Sequence, residues 1–310
     1  MNTNTLLEYL DSVIAIPVIP FSNGIIDYNG HAKNVTYLMQ NNYLSDDRPR
    51  VIAIGGTSLL HHISFEDQIE LVKQTGKQME SEGVLISGIV PNPIEIAGKL
   101  IEAQSELSYP PDAYLLMPLS GISSPEGVYD QYQRLAEKYG NSCNARFIYY
   151  LRQKRDLEVV VRLIKESPYF IGVKIGTDED DVKPLIEGVD KSGLVIWGIG
   201  DRCTEAAELG TKGHTSGIAV VFARTSDEIN NAQRQEDYQT SRQIESKISA
   251  LEDIRFTNGR VYNYSAVVEA MILSGFKDIE GGNGGPFNPR VPAHISAEVQ
   301  TAIKDLSSYH

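Results

Sequence analysis

Short runs of consecutive apolar residues alternate with longer segments in which apolar residues recur every three or four positions, from Val13 to about residue 225. The runs Val13–Pro20, Arg50–Gly55, Val84–Ile89, Ala113–Pro118, Arg146–Leu151, Phe170–Ile175, Leu194–Ile199 and Gly217–Phe222 read as strands. Their apolar residues are continuous rather than alternating, as in parallel strands covered on both faces. Between them, His31–Asn41, Phe65–Ser81, Pro93–Leu107, Pro125–Tyr139, Leu157–Glu166, Asp180–Val189 and Thr204–Leu209 carry helical periodicity. Ser64-Phe65-Glu66-Asp67 and Ser124-Pro125-Glu126 supply a capping hydroxyl followed by first-turn acids or proline, which suit the unpaired N–H groups and dipole of a helix start.

Eight strand–helix units predict an α/β fold, a (β/α)8 TIM barrel over residues 1–225. A doubly wound open sheet is the rival, but no GxGxxG turn follows the first strand. Beyond Phe222 the pattern changes. Ser226–Leu251 reads as one long polar helix or a pair, Tyr264–Ser274 and Ala293–Ser307 as shorter helices, with a Gly/Pro-rich loop at Gly281–Pro286. Residues 226–310 are thus expected to hold the last barrel helix and a small C-terminal helical extension.

A formal net charge of -13 opposes attraction to nucleic acid or anionic lipid, so neither is an expected partner. The opening Met1–Glu8 has no basic stretch, and Asp11 and Pro17 interrupt the apolar run after it, so a signal peptide or membrane span is not expected and the location reads as cytoplasmic. Cys143 and Cys203 lack any metal-ligand or disulfide spacing and read as inert thiols. The adjacent His61 and His62 have no carboxylate at ligand spacing, so no metal is expected.

Lys174 lies near the end of the apolar run Phe170–Gly176. Burial disfavours the ammonium form and draws the amine from its usual value of about 10.4 toward neutrality, where it is a nucleophile able to form a Schiff base. Snorkelling to solvent is the plain alternative. Tyr149 and Tyr150 end the fifth run; being adjacent, one faces the barrel interior and the other the helices. The Gly55-Gly56-Thr57-Ser58 turn leaves the second run at the end where barrel chemistry collects, offering N–H groups and hydroxyls to an anion, or simply a tight turn and a helix cap. Arg152 and Lys154, if more than solvated charge, would meet an anionic substrate at that end, and His214 is a weaker candidate for contact.

In order and spacing, Ile19-Pro20-Phe21, Gly24-Ile25-Ile26-Asp27, Gly55-Gly56-Thr57-Ser58, Ser124-Pro125-Glu126-Gly127, Ile148-Tyr149-Tyr150, Ile171-Gly172-Val173-Lys174, Gly200-Asp201 and Thr215-Ser216-Gly217 match a known pattern. The chain resembles the dihydrodipicolinate synthase / N-acetylneuraminate lyase family of class I aldolases and dehydratases. The resemblance implies a Schiff base between Lys174 and pyruvate or another 2-oxo acid, with Tyr149 as proton shuttle and no cofactor. It further implies that Gly56, Thr57 and Ser58 hold the carboxylate, that Ser216, Gly217, Arg152 and Lys154 contact substrate, and that the protein is a homo-oligomer, a dimer or a homotetramer.

The chain departs from the family at its relay. Gly56 stands where synthases and lyases carry a hydroxyl, and Leu119 or Ser120 where they carry a tyrosine lent by a neighbouring subunit. The double glycine resembles the ketodeoxyglucarate dehydratase branch, although Ser58 and Leu59 replace that branch's GE. The expected function is therefore a lyase acting on pyruvate or a 2-keto-3-deoxy sugar acid. The alternatives are a non-catalytic barrel sensing a 2-oxo acid or sugar acid, motivated by the missing relay, and a metal-dependent barrel aldolase.

Overall fold

Eight parallel strands close into a barrel in the computed structural model, which describes residues 1–310. In chain order they are β1 (Val13–Ala15), β2 (Arg50–Ile54), β3 (Gly83–Ile89), β4 (Ala113–Leu116), β5 (Phe147–Leu151), β6 (Phe170–Ile175), β7 (Leu194–Trp197) and β8 (His214–Ser216), each paired with its neighbours and β8 with β1. The (β/α)8 expectation thus holds. Side chains such as Ile14, Val51, Ile86, Leu115, Ile148 and Ile196 fill the barrel, while a larger apolar layer lies between strands and helices. No helix is long and apolar enough to cross a membrane.

The eighth strand is not where the apolar run placed it. The strand is His214-Thr215-Ser216, whose polar side chains hide it from a hydrophobicity reading. Gly217–Phe222 is a buried turn whose apolar residues pack under the helices, capped by the Ser216 hydroxyl, which accepts from the Ile218 and Ala219 amides at 3.1 and 2.8 Å. The polar stretch beyond it is a pair of helices, Ala223–Arg234 and Tyr238–Arg260. The second is interrupted at Thr257, Asn258 and Gly259, and then come Ser265–Ser274 and Ala293–Ile303. An unanticipated helix, Thr3–Leu10, precedes β1, its start capped by Asn2.

One irregularity decides which way Lys174 points. Along β5 and β6, Phe147 pairs with Phe170, but the next pair is Ile148 with Gly172, so Ile171 is an extra residue, a β-bulge. Past the bulge Tyr149 pairs with Val173 and Tyr150 with Lys174. Paired residues of parallel strands share a face. Gly172 fits the crowded bulge because a Cβ there would stand 2.7 Å from the Leu194 carbonyl oxygen.

A buried ion pair ties the barrel to its last helix. Arg50, opening β2, forks onto Asp227 of helix Ala223–Arg234 through two 2.7 Å bonds and donates also to the Leu38 and Asn41 carbonyls. Both side chains are buried, so removing one partner strands the other charge out of water. Asp227→Asn should cost about 3–5 kcal/mol of unfolding free energy in a denaturant titration; a loss under about 1 kcal/mol would show the pair to be dispensable.

Candidate active site

Lys174 is 3% exposed, and its Nζ lies 4.3 Å from the centre of the Tyr150 ring. The lysine stem is accommodated by Gly198, where a Cβ would fall 2.7 Å from both Lys174 Cγ and Cε. Burial lowers the pKa of the amine, and the charges of Arg152, Arg260 and Arg255 push the same way while Tyr150 opposes them. For the Tyr150 phenol, burial pushes upward, but the charges of Lys174, Arg152 and Arg260 together outweigh it and hold the group at about 8. A buried amine whose ammonium form is disfavoured, beside a phenol lowered to about 8, sets a candidate nucleophile next to an acid–base group.

The phenol at this place is not the one the family pattern picked. Tyr149 points outward, with its ring edge-on to Tyr132 of helix Pro125–Cys143 at 5.7 Å and its hydroxyl donating to Asp156 at 3.3 Å. Burial raises its pKa far out of the physiological range. Both tyrosines are buried, one against each face of the sheet, so hydropathy does not distinguish them; the bulge does.

The other expected site residues divide. Gly56, Thr57 and Ser58 form a single 3-10 turn at the same end of the barrel as Lys174. Thr57 reaches the Ile16 carbonyl at 3.4 Å, and Ser58 donates to the Pro17 carbonyl at 2.9 Å while accepting from the Gly55 amide. The Ser58 hydroxyl is therefore a clamp on the β1 end. Gly56 has φ +28 and faces Ile16. Arg152 stands over the site, its Nη1 3.4 Å from the Tyr150 hydroxyl. Lys154 does not: it is paired with Asp181 at 3.1 Å and leans on Asp178 at the surface.

Ser216 and Gly217 are also displaced from the role expected of them. Ser216 pairs with Ala15, on the helix-facing side of the sheet, and its hydroxyl contacts Asp201 and Ser226 at 2.9 Å. His214 lies in the same buried cluster, Nε2 3.3 Å from Asp201 Oδ1. The β8 residue turned inward is Thr215, paired with Ile14. Gly217 gives room to a guanidinium: a Cβ there would sit 2.3 Å from Arg255 Nη2. Sequence reading missed Arg255 and Arg260 because they lie in the C-terminal helices, far from any barrel strand. His61 and His62 have ring centres 6.4 Å apart, and His62 packs on Phe287.

A surface cavity of about 400 Å³ opens at the opposite end of the barrel around Met1, Tyr109 and Arg146. At the Lys174 end the Tyr150 ring lies against the lysine amine, with the Arg152 guanidinium 5.7 Å from the centre of that ring.

The model of the dihydrodipicolinate synthetase family matches residues 9–282. The chain belongs to this family. Its relatives include the 4-hydroxy-tetrahydrodipicolinate synthase of Pseudomonas putida (strain W619), 26% identical over 246 residues, which are 77% of this chain and 80% of that protein. That of Fervidobacterium nodosum is 23% identical over 77% of this chain and 80% of its own length. Among solved structures, dihydrodipicolinate synthase from Bacillus clausii superposes with a TM-score of 0.86 at 20% identity, covering 96% of this chain and 98% of that one. The chloride-inhibited Acinetobacter baumannii synthase complexed with pyruvate gives 0.82 at 24% identity, covering 96% and 99%. These two likenesses establish the fold. Family membership makes the protein a lyase of the class I aldolase type.

The Tyr150 shift is directly observable. Phenolate absorbance should show one tyrosine titrating near pH 8, absent in Tyr150→Phe and retained in Tyr149→Phe. Because the folded value lies below the ordinary value of about 10, this group stabilises the folded chain fully above about pH 10, and that gain is lost as pH falls through about 8. A transition that survives Tyr150→Phe would assign it elsewhere.

Proposed function

We propose that the protein is a Schiff-base lyase for pyruvate or a 2-keto-3-deoxy sugar acid, with Lys174 as nucleophile and Tyr150, in place of Tyr149, as proton shuttle. The observation that carries this reading is the buried Lys174 amine lying over the Tyr150 ring at 4.3 Å. Kinship with proteins named as synthases of this family, one of them solved with pyruvate, supports it.

The chemistry follows from the two groups. The neutral amine adds to the C2 carbonyl of the 2-oxo acid, and the Tyr150 phenol gives a proton to the resulting hydroxyl, which leaves as water. The iminium so formed draws electrons from C3. In an aldol cleavage the C4 hydroxyl loses its proton to the Tyr150 phenolate, the C3–C4 bond breaks to release an aldehyde, and its electron pair is taken up as an enamine. In a dehydration C3 loses a proton to the phenolate and the C4 hydroxyl leaves as water with a proton returned by the phenol. Positive charge from Arg152 and Arg260 steadies the phenolate between transfers. Arg152, exposed at the rim, is the side chain that gives way to admit substrate.

The Gly56–Ser58 turn is assigned to the substrate carboxylate on the strength of its position. With Gly56 in place of a hydroxyl, the relay to a neighbouring subunit is cut, and Tyr150 exchanges its proton with substrate or solvent directly. A cytoplasmic location and a homo-oligomer, dimer or tetramer, complete the reading; sedimentation velocity tests the latter.

Pyruvate with borohydride should add a three-carbon mass at Lys174, and Lys174→Ala should take up none. Tyr150→Phe should slow turnover of a cleaved or dehydrated sugar acid by roughly 10²–10⁴, with Tyr149→Phe close to the parent. Adduct formation elsewhere, or equal loss in both tyrosine variants, would overturn the assignment.

A further inference from the structure

Apart from Tyr150, the barrel face that carries Lys174 is lined by apolar side chains, among them Ile14, Val51, Ile148 and Ile196. Thr215 breaks that rule. It is the β8 residue turned inward, paired with Ile14, and it is 5% exposed. Ser216 beside it is bonded to Asp201 and Ser226, whereas the Thr215 hydroxyl makes no hydrogen bond to the protein. Valine has the same branched shape and suits a strand equally well. A hydroxyl kept from water with nothing to bond carries a cost that valine would remove.

Strand register sets that hydroxyl beside the lysine. Trp197 pairs with His214, so one residue further Gly198 stands next to Thr215, with adjacent strands about 4.8 Å apart. The space a side chain at Gly198 would take is filled by the Lys174 stem, whose Cγ and Cε lie 2.7 Å from the position of a Cβ there. On the other flank Ile175 pairs with Trp197, which puts Gly176 beside Gly198, and the Tyr150 ring covers Gly176 at 2.4 Å from the position of its Cβ. The row across the barrel mouth therefore runs phenol, amine, hydroxyl. Thr215 is also tied to the Gly56–Ser58 turn. The Ile16 amide donates to the Ser216 carbonyl at 2.9 Å, and the turn hangs from the same stretch through the Thr57 hydroxyl on the Ile16 carbonyl and the Ser58 hydroxyl on the Pro17 carbonyl.

We propose that Thr215 completes the carboxylate pocket, its hydroxyl donating to one carboxylate oxygen of the 2-oxo acid while the Gly56–Ser58 turn takes the other. This rests on the Schiff-base reading. A 2-oxo acid carries its carboxylate one bond from the carbon that Lys174 attacks, so a donor flanking the lysine on the side away from Tyr150 meets the carboxylate and leaves the C2 oxygen to the phenol. A hydrogen bond to a charged acceptor is among the stronger ones, and it offsets the cost of holding the hydroxyl unpaired in the empty protein. Thr215 is thus a substrate-binding residue, and its unsatisfied state before substrate arrives is what gives the carboxylate its hold.

The test compares half-saturation concentrations for borohydride trapping at Lys174. Thr215→Val should raise the value for pyruvate about tenfold or more, as loss of a hydrogen bond to a charged group does, with the rate at saturation little changed. Thr215→Ser should restore it to within a few-fold of the parent. Methyl pyruvate, whose ester carries no charge, should respond to neither substitution. In the empty protein Thr215→Val should melt at or above the parent temperature, because no bond is lost; a marked fall would show that the hydroxyl has a structural partner and remove the premise. An unmoved half-saturation for pyruvate, or an equal rise for pyruvate and methyl pyruvate, would overturn the carboxylate contact. NMR titration of lactate, a carboxylate with no ketone, into Lys174→Ala separates the two layers of the argument. If no 2-oxo acid is trapped but lactate binds in a Thr215-dependent way, the lyase reading falls and the carboxylate contact stands. If lactate binds Lys174→Ala no better than the double variant with Thr215→Val, the contact is wrong whether or not pyruvate is trapped.

Discussion

A single extra residue in the pairing of β5 with β6 decides which face of the barrel Lys174 occupies. Without the bulge at Ile171, pairing that starts from Phe147 and Phe170 would carry Lys174 to the face shared with Tyr149, against the helices. With it, Lys174 and Tyr150 enter the barrel together. Gly172 and Gly198 are the two positions that make room, one for the displaced backbone against β7 and one for the lysine stem. The Lys174–Tyr150 pair is thus produced by backbone register, and the side chains on either side are ordinary apolar core.

Electrostatics then acts on a pair already in place. Burial disfavours the ammonium form of Lys174, while neighbouring cations, Lys174 among them, bring the Tyr150 phenol down against its own burial. The cations come from two directions: Arg152 from the end of β5, Arg255 and Arg260 from the helix after the barrel. Arg255 is neutralised by Glu252 and anchored to Asn263 at 2.8 Å, so it serves mainly as a wall behind Gly217. Arg260 and Arg152 keep their charge free. A C-terminal helix outside the strand–helix repeat is in this way part of the site.

The departures from the family pattern acquire physical content in the same geometry. Gly56 turns toward Ile16, and Ser120 is engaged with Asn92, its amide donating to the Asn92 side chain at 3.1 Å. No hydroxyl chain leads away from Tyr150. What the phenol meets instead is guanidinium, which stabilises its anion but cannot relay a proton under working conditions. The cluster behind β8, in which Asp201 meets His214, Ser216 and Ser226, fixes the β8 end and the buried turn after it.

Hydrophobic periodicity alone determined the barrel, because eight continuous apolar or near-apolar runs separated by amphipathic helices have few other ways to bury themselves. It also singled out Lys174, since a lysine within such a run is conspicuous. It misplaced β8, two of whose three polar residues, His214 and Ser216, engage a buried network around Asp201 that leaves no trace in hydropathy, and it took the adjacent apolar turn for the strand. It could not choose between Tyr149 and Tyr150, because a strand buried on both faces carries no alternation to mark inside from outside. That choice, the capture of Lys154 by Asp181, and the arrival of Arg260 from a helix 84 residues beyond Gly176 depend on register and long-range packing. Only the tertiary structure decides such features, because they arise from contacts between segments whose own sequences say nothing of each other.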